Sequence, residues 1–177
     1  MPKVVNLNKL VTGRSSRRIG DTTLVFDTEC IQKKLISRIS RSDTKYVCGC
    51  AAWFTNTKII EALSRLCGVS IICTRDKVAK TKTTRAKYKT LPSINGIPTI
   101  KLLGCGSGRS ASLMHHKFLV GMDKDENPIW VSTGSFNLTE SACTNIENMM
   151  IIENKEIAGE FLNEFQRLFK IAKHLKL

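Results

Sequence analysis

The sequence predicts an α/β fold in which a mixed β-sheet is flanked by helices. Three observations carry that expectation. Continuous apolar runs bounded by polar residues, "KYVCGCAAWF" and "VSIICTR", suit strands buried on both faces. Apolar residues at helical spacing alternate with these runs, as in α/β sandwiches. Later, "HKFLVGM" and "IWVSTG" are joined by the polar turn "DKDENP", a hairpin that makes the sheet mixed rather than all parallel. At 177 residues the chain is one domain, with at most a small appendage.

The elements follow in order. Residues 1–20 hold five basic side chains and no acidic one, with Arg14, Arg17 and Arg18 in "GRSSRRIG". That composition reads as a basic N-terminal arm over 1–21, followed by a single domain over 22–177. "TTLVF" is a short strand. From Thr28, Ile31, Leu35 and Ile39 recur every four residues, so a helix runs to about Ser42. The strand "KYVCGCAAWF" follows. Asn56 or Thr57 then caps a helix with apolar face Ile59, Leu63 and Leu66, ended by Gly68. After "VSIICTR", the stretch Arg75–Lys89 holds seven basic residues and one acidic one, and reads as a long basic loop with room for a helical turn. "PTIKLLG", the hairpin and "NMMIIE" supply the remaining strands. From Lys155, Ile157, Phe161, Phe165, Leu168 and Ala172 make one stripe of an amphipathic helix.

Charge narrows the partners. With 28 Lys+Arg against 15 Asp+Glu, the net charge is +13, which favours a polyanion: nucleic acid first, an anionic membrane surface second. No apolar run reaches the roughly 18–20 residues of a membrane-spanning helix. No secretory signal is legible at residues 1–20. The seven cysteines lie mostly in apolar stretches and complete no zinc spacing, so they read as buried thiols of a reducing compartment, cytoplasmic or nuclear. Neither a metal nor another cofactor is expected.

The chemistry concentrates in Met114–Ile152. His115 and Lys117 lie two apart at the start of a strand and so project to one face. An ammonium beside an imidazole suits phosphate chemistry: the cation neutralises a phosphoryl oxygen while the ring attacks phosphorus or moves a proton. "TGSFN" puts Ser135 and Asn137 on one face as donors to phosphate oxygens, and Glu147 is placed to orient the imidazole through its second nitrogen. Arg75, Lys77, Lys80, Lys82, Arg85, Lys87 and Lys89, with the N-terminal arm, supply a footprint for several phosphates. Aromatic residues are only 6%, so weak sequence specificity is expected.

These residues resemble the signature of the phospholipase D superfamily: H-x-K-x4-D, then G-S-x-N, then a Glu before a strand. His115 and Lys117, then Gly134, Ser135 and Asn137, then Glu147 match it, and the likeness spans roughly residues 22–170. The short chain with one motif is similar to the small phospholipase-D-like endonucleases and Zucchini-type proteins, whose fold is a mixed sheet flanked by helices. One position departs: the motif Asp falls on Met122, and Asp123 comes one residue late. Either a bulge returns Asp123 to the site or that carboxylate is lost.

The resemblance implies two imidazoles per reaction, one attacking phosphorus to form a phosphohistidine and the other protonating the leaving oxygen. One motif per chain then implies a homodimer with two copies of His115 across one cleft. Three functions follow as expectations: a metal-independent nuclease acting on DNA or RNA, a phospholipase acting on an anionic lipid, or a catalytically silent nucleic-acid-binding dimer.

Overall fold

A computed structural model of the chain describes residues 16–26, 28–76, 78–104 and 112–177. Its strands are β1 (Ser16–Ile19), β2 (Thr22–Val25), β3 (Tyr46–Ala51), β4 (Gly68–Thr74), β5 (Ile100–Leu103), β6 (Lys117–Met122), β7 (Pro128–Gly134), β8 (Met149–Ile152) and β9 (Lys173–His174). Helices are α1 (Thr28–Ile39), α2 (Thr57–Leu63), α3 (Lys82–Tyr88) and α4 (Lys155–Ile171). All nine described strands share one sheet, in the order β1-β2-β8-β7-β6-β3-β4-β5-β9. β4 runs parallel to β3 and β5, and every other pairing is antiparallel. The expected mixed sheet with flanking helices is what the chain forms.

Alternation along the central strands feeds two cores. Val47 and Ala51 of β3, Leu119 of β6 and Trp130 of β7 pack with Leu35 of α1 and Ile59 and Leu63 of α2. Cys48 and Cys50, Phe118 and Val120, and Val131 face the other way, against Ala158, Phe165 and Leu168 of α4. Burial on both faces explains why β3 and β4 read as unbroken apolar runs. It also pushes up the pKa of the Cys48, Cys50 and Cys73 thiols, that of Cys73 to about 12.

Helix ends follow local chemistry. The Asn56 side chain accepts from the Ile59 amide at 3.1 Å and starts α2; Asn154 does the same for Ile157 at 3.1 Å and starts α4. In α4 the buried stripe takes Ala158 rather than Ile157, which stays 40% exposed.

Two expectations about the basic segments are corrected. Ser16–Ile19, assigned to the arm, is an edge strand paired with β2, so the sheet begins inside the proposed arm. Residues 1–15, including Arg14, lie outside the described residues. The basic loop is largely helical: a 3-10 turn at Val78–Lys80 leads into α3, whose N-cap Thr81 accepts from the Thr84 amide at 3.2 Å. Thr84 and Tyr88, one turn apart, are its buried anchors, and the Tyr88 hydroxyl donates to the Phe54 carbonyl at 2.7 Å.

One ionic cluster pins the β1–β2 end of the sheet to α1. Glu153 follows β8 and meets Arg18 at 2.7 Å, Arg41 at 2.5 Å and Arg38 at 3.2 Å. Burial alone would raise the Glu153 pKa, but the Arg18 hydrogen bond and the Arg41 and Arg38 charges prevail and hold it below the ordinary carboxylate range. A carboxylate depressed in the folded state stabilises fully above its unfolded pKa and loses that contribution as pH falls through the folded value. Glu153→Gln is therefore expected to cost about 1–2 kcal/mol at neutral pH, because Arg18, Arg38 and Arg41 lose a shared counter-charge while Arg38 keeps Asp43 at 2.9 Å. Melting temperature against pH checks it: the parent should lose its advantage over the variant in acid.

Candidate active site

The antiparallel pairings bring one end of each central strand to a common edge. Ala51, the last residue of β3, pairs with Lys117, the first of β6; Gly134, the last of β7, pairs with Met149, the first of β8. The segments entering or leaving these ends carry His115, Ser135, Asn137 and Glu147, and so the predicted side chains converge from three separate stretches. Gly134 permits the approach: a Cβ there would lie 2.3 Å from the Asn148 carbonyl oxygen.

His115 lies just before β6 rather than within it, and exposes its ring. The Lys117 ammonium sits 3.2 Å from each ring nitrogen and donates to the His115 carbonyl at 2.9 Å. Burial lowers the Lys117 pKa, opposed by the nearby Glu147 charge. If this ammonium neutralises a phosphoryl oxygen, activity should fall on the alkaline side at a pH below the ordinary lysine range. Lys117→Arg, which stays charged, should remove that limb from the pH profile of kcat/KM, at some cost in rate from altered geometry.

Glu147 takes a different partner from the one expected. Its Oε2 accepts from the Ser135 hydroxyl, and Oε1 accepts from the Asn145 amide at 3.4 Å. No hydrogen bond to His115 is formed among the described residues. The Asn148 amide donates to Ser135 Oγ at 3.0 Å, and the Ser135 amide to the Asn148 carbonyl at 3.1 Å, so the turn after β7 is locked to the start of β8. Asn137 Oδ1 is buried without a hydrogen-bond partner among the described residues.

Asp123 is corrected out of this site. A register shift does fall between Gly121 and Met122, but it does not return Asp123 to the Lys117 end of β6. Asp123 instead organises the β6–β7 turn, its Oδ1 accepting from the Asp125 and Asn127 amides, each at 2.9 Å. Those bonds hold its carboxyl below the usual range, the Asn127 amide first. Met122, at the motif position, is buried in the apolar core under α4. His116 points elsewhere, its Nε2 3.5 Å from Glu164.

The basic footprint is divided. Arg75, Lys80, Lys82 and Lys89 are exposed. Lys87 donates to the Thr55 carbonyl at 3.0 Å and the Thr57 hydroxyl at 2.7 Å, and Arg85 donates to the Lys176 carbonyl, so these two tie α3 to its neighbours. Lys77 lies outside the described residues.

Sequence reasoning missed Trp53. Its ring stands edge-on to the His115 ring, centroids 5.6 Å apart, and the Lys117 ammonium is 6.0 Å from its centre. The available signal was an aromatic residue directly after the strand that pairs with Lys117. An open cavity of about 710 Å³ adjoins the imidazole, with Leu103, Leu113, Leu168 and Ile171 among its lining residues.

Comparison with known proteins agrees with this architecture. Residues 35–169 match the family described as "Cardiolipin synthase, PLD-like domain". A protein of Acanthamoeba polyphaga mimivirus, described as uncharacterized protein L381, is 30% identical over 205 residues, covering 95% of this chain and 72% of its own length. Among solved structures, NucT from Helicobacter pylori superposes with a TM-score of 0.66 at 17% identity, over 87% of this chain and 98% of its own. Nuc from Salmonella typhimurium, a phospholipase D family member, gives 0.64 at 20% identity, over 88% and 98%. The chain therefore belongs to the phospholipase D superfamily, as an enzyme built on its PLD-like domain.

Proposed function

We propose that the protein is a metal-independent phosphodiesterase that cleaves DNA or RNA through a phosphohistidine, in a site shared by two copies of the chain. The observation that carries this reading is the His115–Lys117 pair at the sheet edge, its ammonium against both ring nitrogens. An imidazole nitrogen of His115 attacks phosphorus and the P–O bond to the leaving group breaks. The partner copy's imidazole protonates the departing oxygen. Water, giving its proton back to that imidazole, then displaces His115 and releases the phosphate monoester. Lys117 and Asn137 offset the charge on the phosphoryl oxygens, and Glu147 fixes the Ser135 hydroxyl.

Two further features support the reading. The exposed Arg75, Lys80, Lys82 and Lys89 and the net charge of +13 suit a polyanion that contacts the surface at several phosphates. Ile146, fully exposed beside Glu147, and Leu113, half exposed near His115, are apolar surface that a second copy would cover. No described helix is long and apolar enough to cross a membrane.

A phospholipase is the second reading, favoured by the apolar side of the cavity next to His115. Labelled single- and double-stranded DNA and RNA, and vesicles of anionic phospholipid, incubated in EDTA with the parent and His115→Ala, decide between them. EDTA-resistant cutting of nucleic acid that disappears in the variant is expected. Lipid hydrolysis alone would establish the second reading, and binding without turnover would leave a silent nucleic-acid-binding dimer.

A further inference from the structure

We infer that Trp53 is a positioning residue for His115 and that Asp76 sets the indole in place. The inference rests on the reading of His115 as the nucleophile. Trp53 belongs to neither half of the motif. It follows β3, whose last residue pairs with Lys117, and the Ala52 amide donates to the His116 carbonyl at 3.1 Å. The backbone on which Trp53 stands is thus bonded directly to the backbone that carries the imidazole.

The ring contact is directional. Indole and imidazole meet at an interplanar angle of 83°, the edge-to-face arrangement that aromatic pairs prefer. His115 is otherwise exposed, and its ring meets the charged end of Lys117 and this indole. A nucleophile whose plane is unconstrained aims its lone pair at phosphorus for a small part of the time, and a misplacement of about 1 Å can cost on the order of 100-fold in rate. Trp53 supplies a wall against which the imidazole plane is fixed.

The indole is itself fixed. Its Nε1–H donates to Asp76 Oδ2 at 2.6 Å, and Asp76 Oδ1 accepts from the Ala79 amide at 3.0 Å. Asp76 lies just past the end of β4, and Ala79 lies in the Val78–Lys80 3-10 turn that leads into α3. One carboxylate therefore joins the wall behind the nucleophile to the segment bearing Lys80 and Lys82.

The test uses the full chain with bis(4-nitrophenyl) phosphate, a diester without bases, beside proton NMR of the His115 ring, assigned by its loss in His115→Ala. Trp53→Ala and Asp76→Ala are expected to lower kcat by about 10–100-fold with KM little changed, and Trp53→Phe, which keeps a ring but not the N–H, to lose less. In Trp53→Ala the His115 ring proton should also shift from its position in the parent, because the ring current of the indole is lost. Unchanged kcat, a loss confined to KM, or an unmoved His115 resonance would each overturn the inference. Absence of turnover in the parent would instead overturn the reading of the site, and the His115 resonance would still decide whether Trp53 holds the ring.

Discussion

His115→Ala is expected to lower kcat for phosphodiester cleavage by at least about 10³-fold while leaving salt-dependent binding of nucleic acid largely intact. The two readouts separate because different residues carry them. On the proposed mechanism, cleavage needs the imidazole that Lys117 faces at 3.2 Å. Binding on that reading draws instead on exposed cations of the Arg75–Lys89 segment, a separate stretch of sequence, and on the charge of the chain as a whole. Mixing extends the prediction. If one cleft uses the imidazoles of two chains, equal amounts of parent and variant, allowed to exchange subunits, retain about a quarter of the parent activity, whereas independent sites retain about half. Gel-based cleavage assays across mixing ratios distinguish a squared dependence from a straight line.

The second large effect is on the fold. Gly121 of β6 lies beneath the Trp130 side chain of β7, and a Cβ there would fall 1.9 Å from Trp130 Nε1 and 2.1 Å from Cε2. The indole cannot retreat. It is fully buried, its N–H donates to the Thr44 hydroxyl at 3.0 Å, and the Arg38 guanidinium stacks over its ring at 5.0 Å. Gly121→Ala therefore forces the indole or the strand to shift, and should cost more than about 4 kcal/mol, a large share of the 5–15 kcal/mol that ordinarily holds a domain together. Thermal unfolding followed by circular dichroism checks it. Trimming the indole with Trp130→Leu in the same chain should recover part of the loss; full additivity of the two costs would contradict the steric account.

Most of the sheet was legible because its central strands are buried on both faces and carry unbroken apolar runs, "YVCGCA" and "GVSIICT". The hairpin was legible from its polar turn. What sequence did not disclose has a common cause, which is dependence on distant partners. β1 reads as polar "SRRI", and it becomes a strand because β2 offers it a free edge and Glu153 draws in Arg18. α3, "KTTRAKY", has no apolar stripe; its Thr81 cap and the Tyr88 contact with Phe54 hold it. β9 is two residues long and exists through pairing with β5.

The site divides in the same way. His115 and Lys117 are two residues apart, so their meeting follows from local geometry, and the segment holding Ser135 and Asn137 was placed by its position after a strand. Partnerships between segments were harder. Glu147 and Ser135 are twelve positions apart and meet through the register of β7 with β8, which no spacing rule supplies. Asp123 was drawn toward the site by its nearness to a motif position, yet the β6–β7 turn has stronger claims on it through two backbone amides. Trp53 carries no motif and is reached only through the β3–β6 pairing.

The most direct measurement is trapping of the covalent intermediate. Parent protein turning over a short oligonucleotide in EDTA, quenched rapidly and digested at alkaline pH, should yield one peptide with an oligonucleotide fragment joined through its phosphorus to His115, labile in acid and absent from His115→Ala. Turnover with the adduct on another residue, or full turnover by His115→Ala, would contradict His115 as the nucleophile.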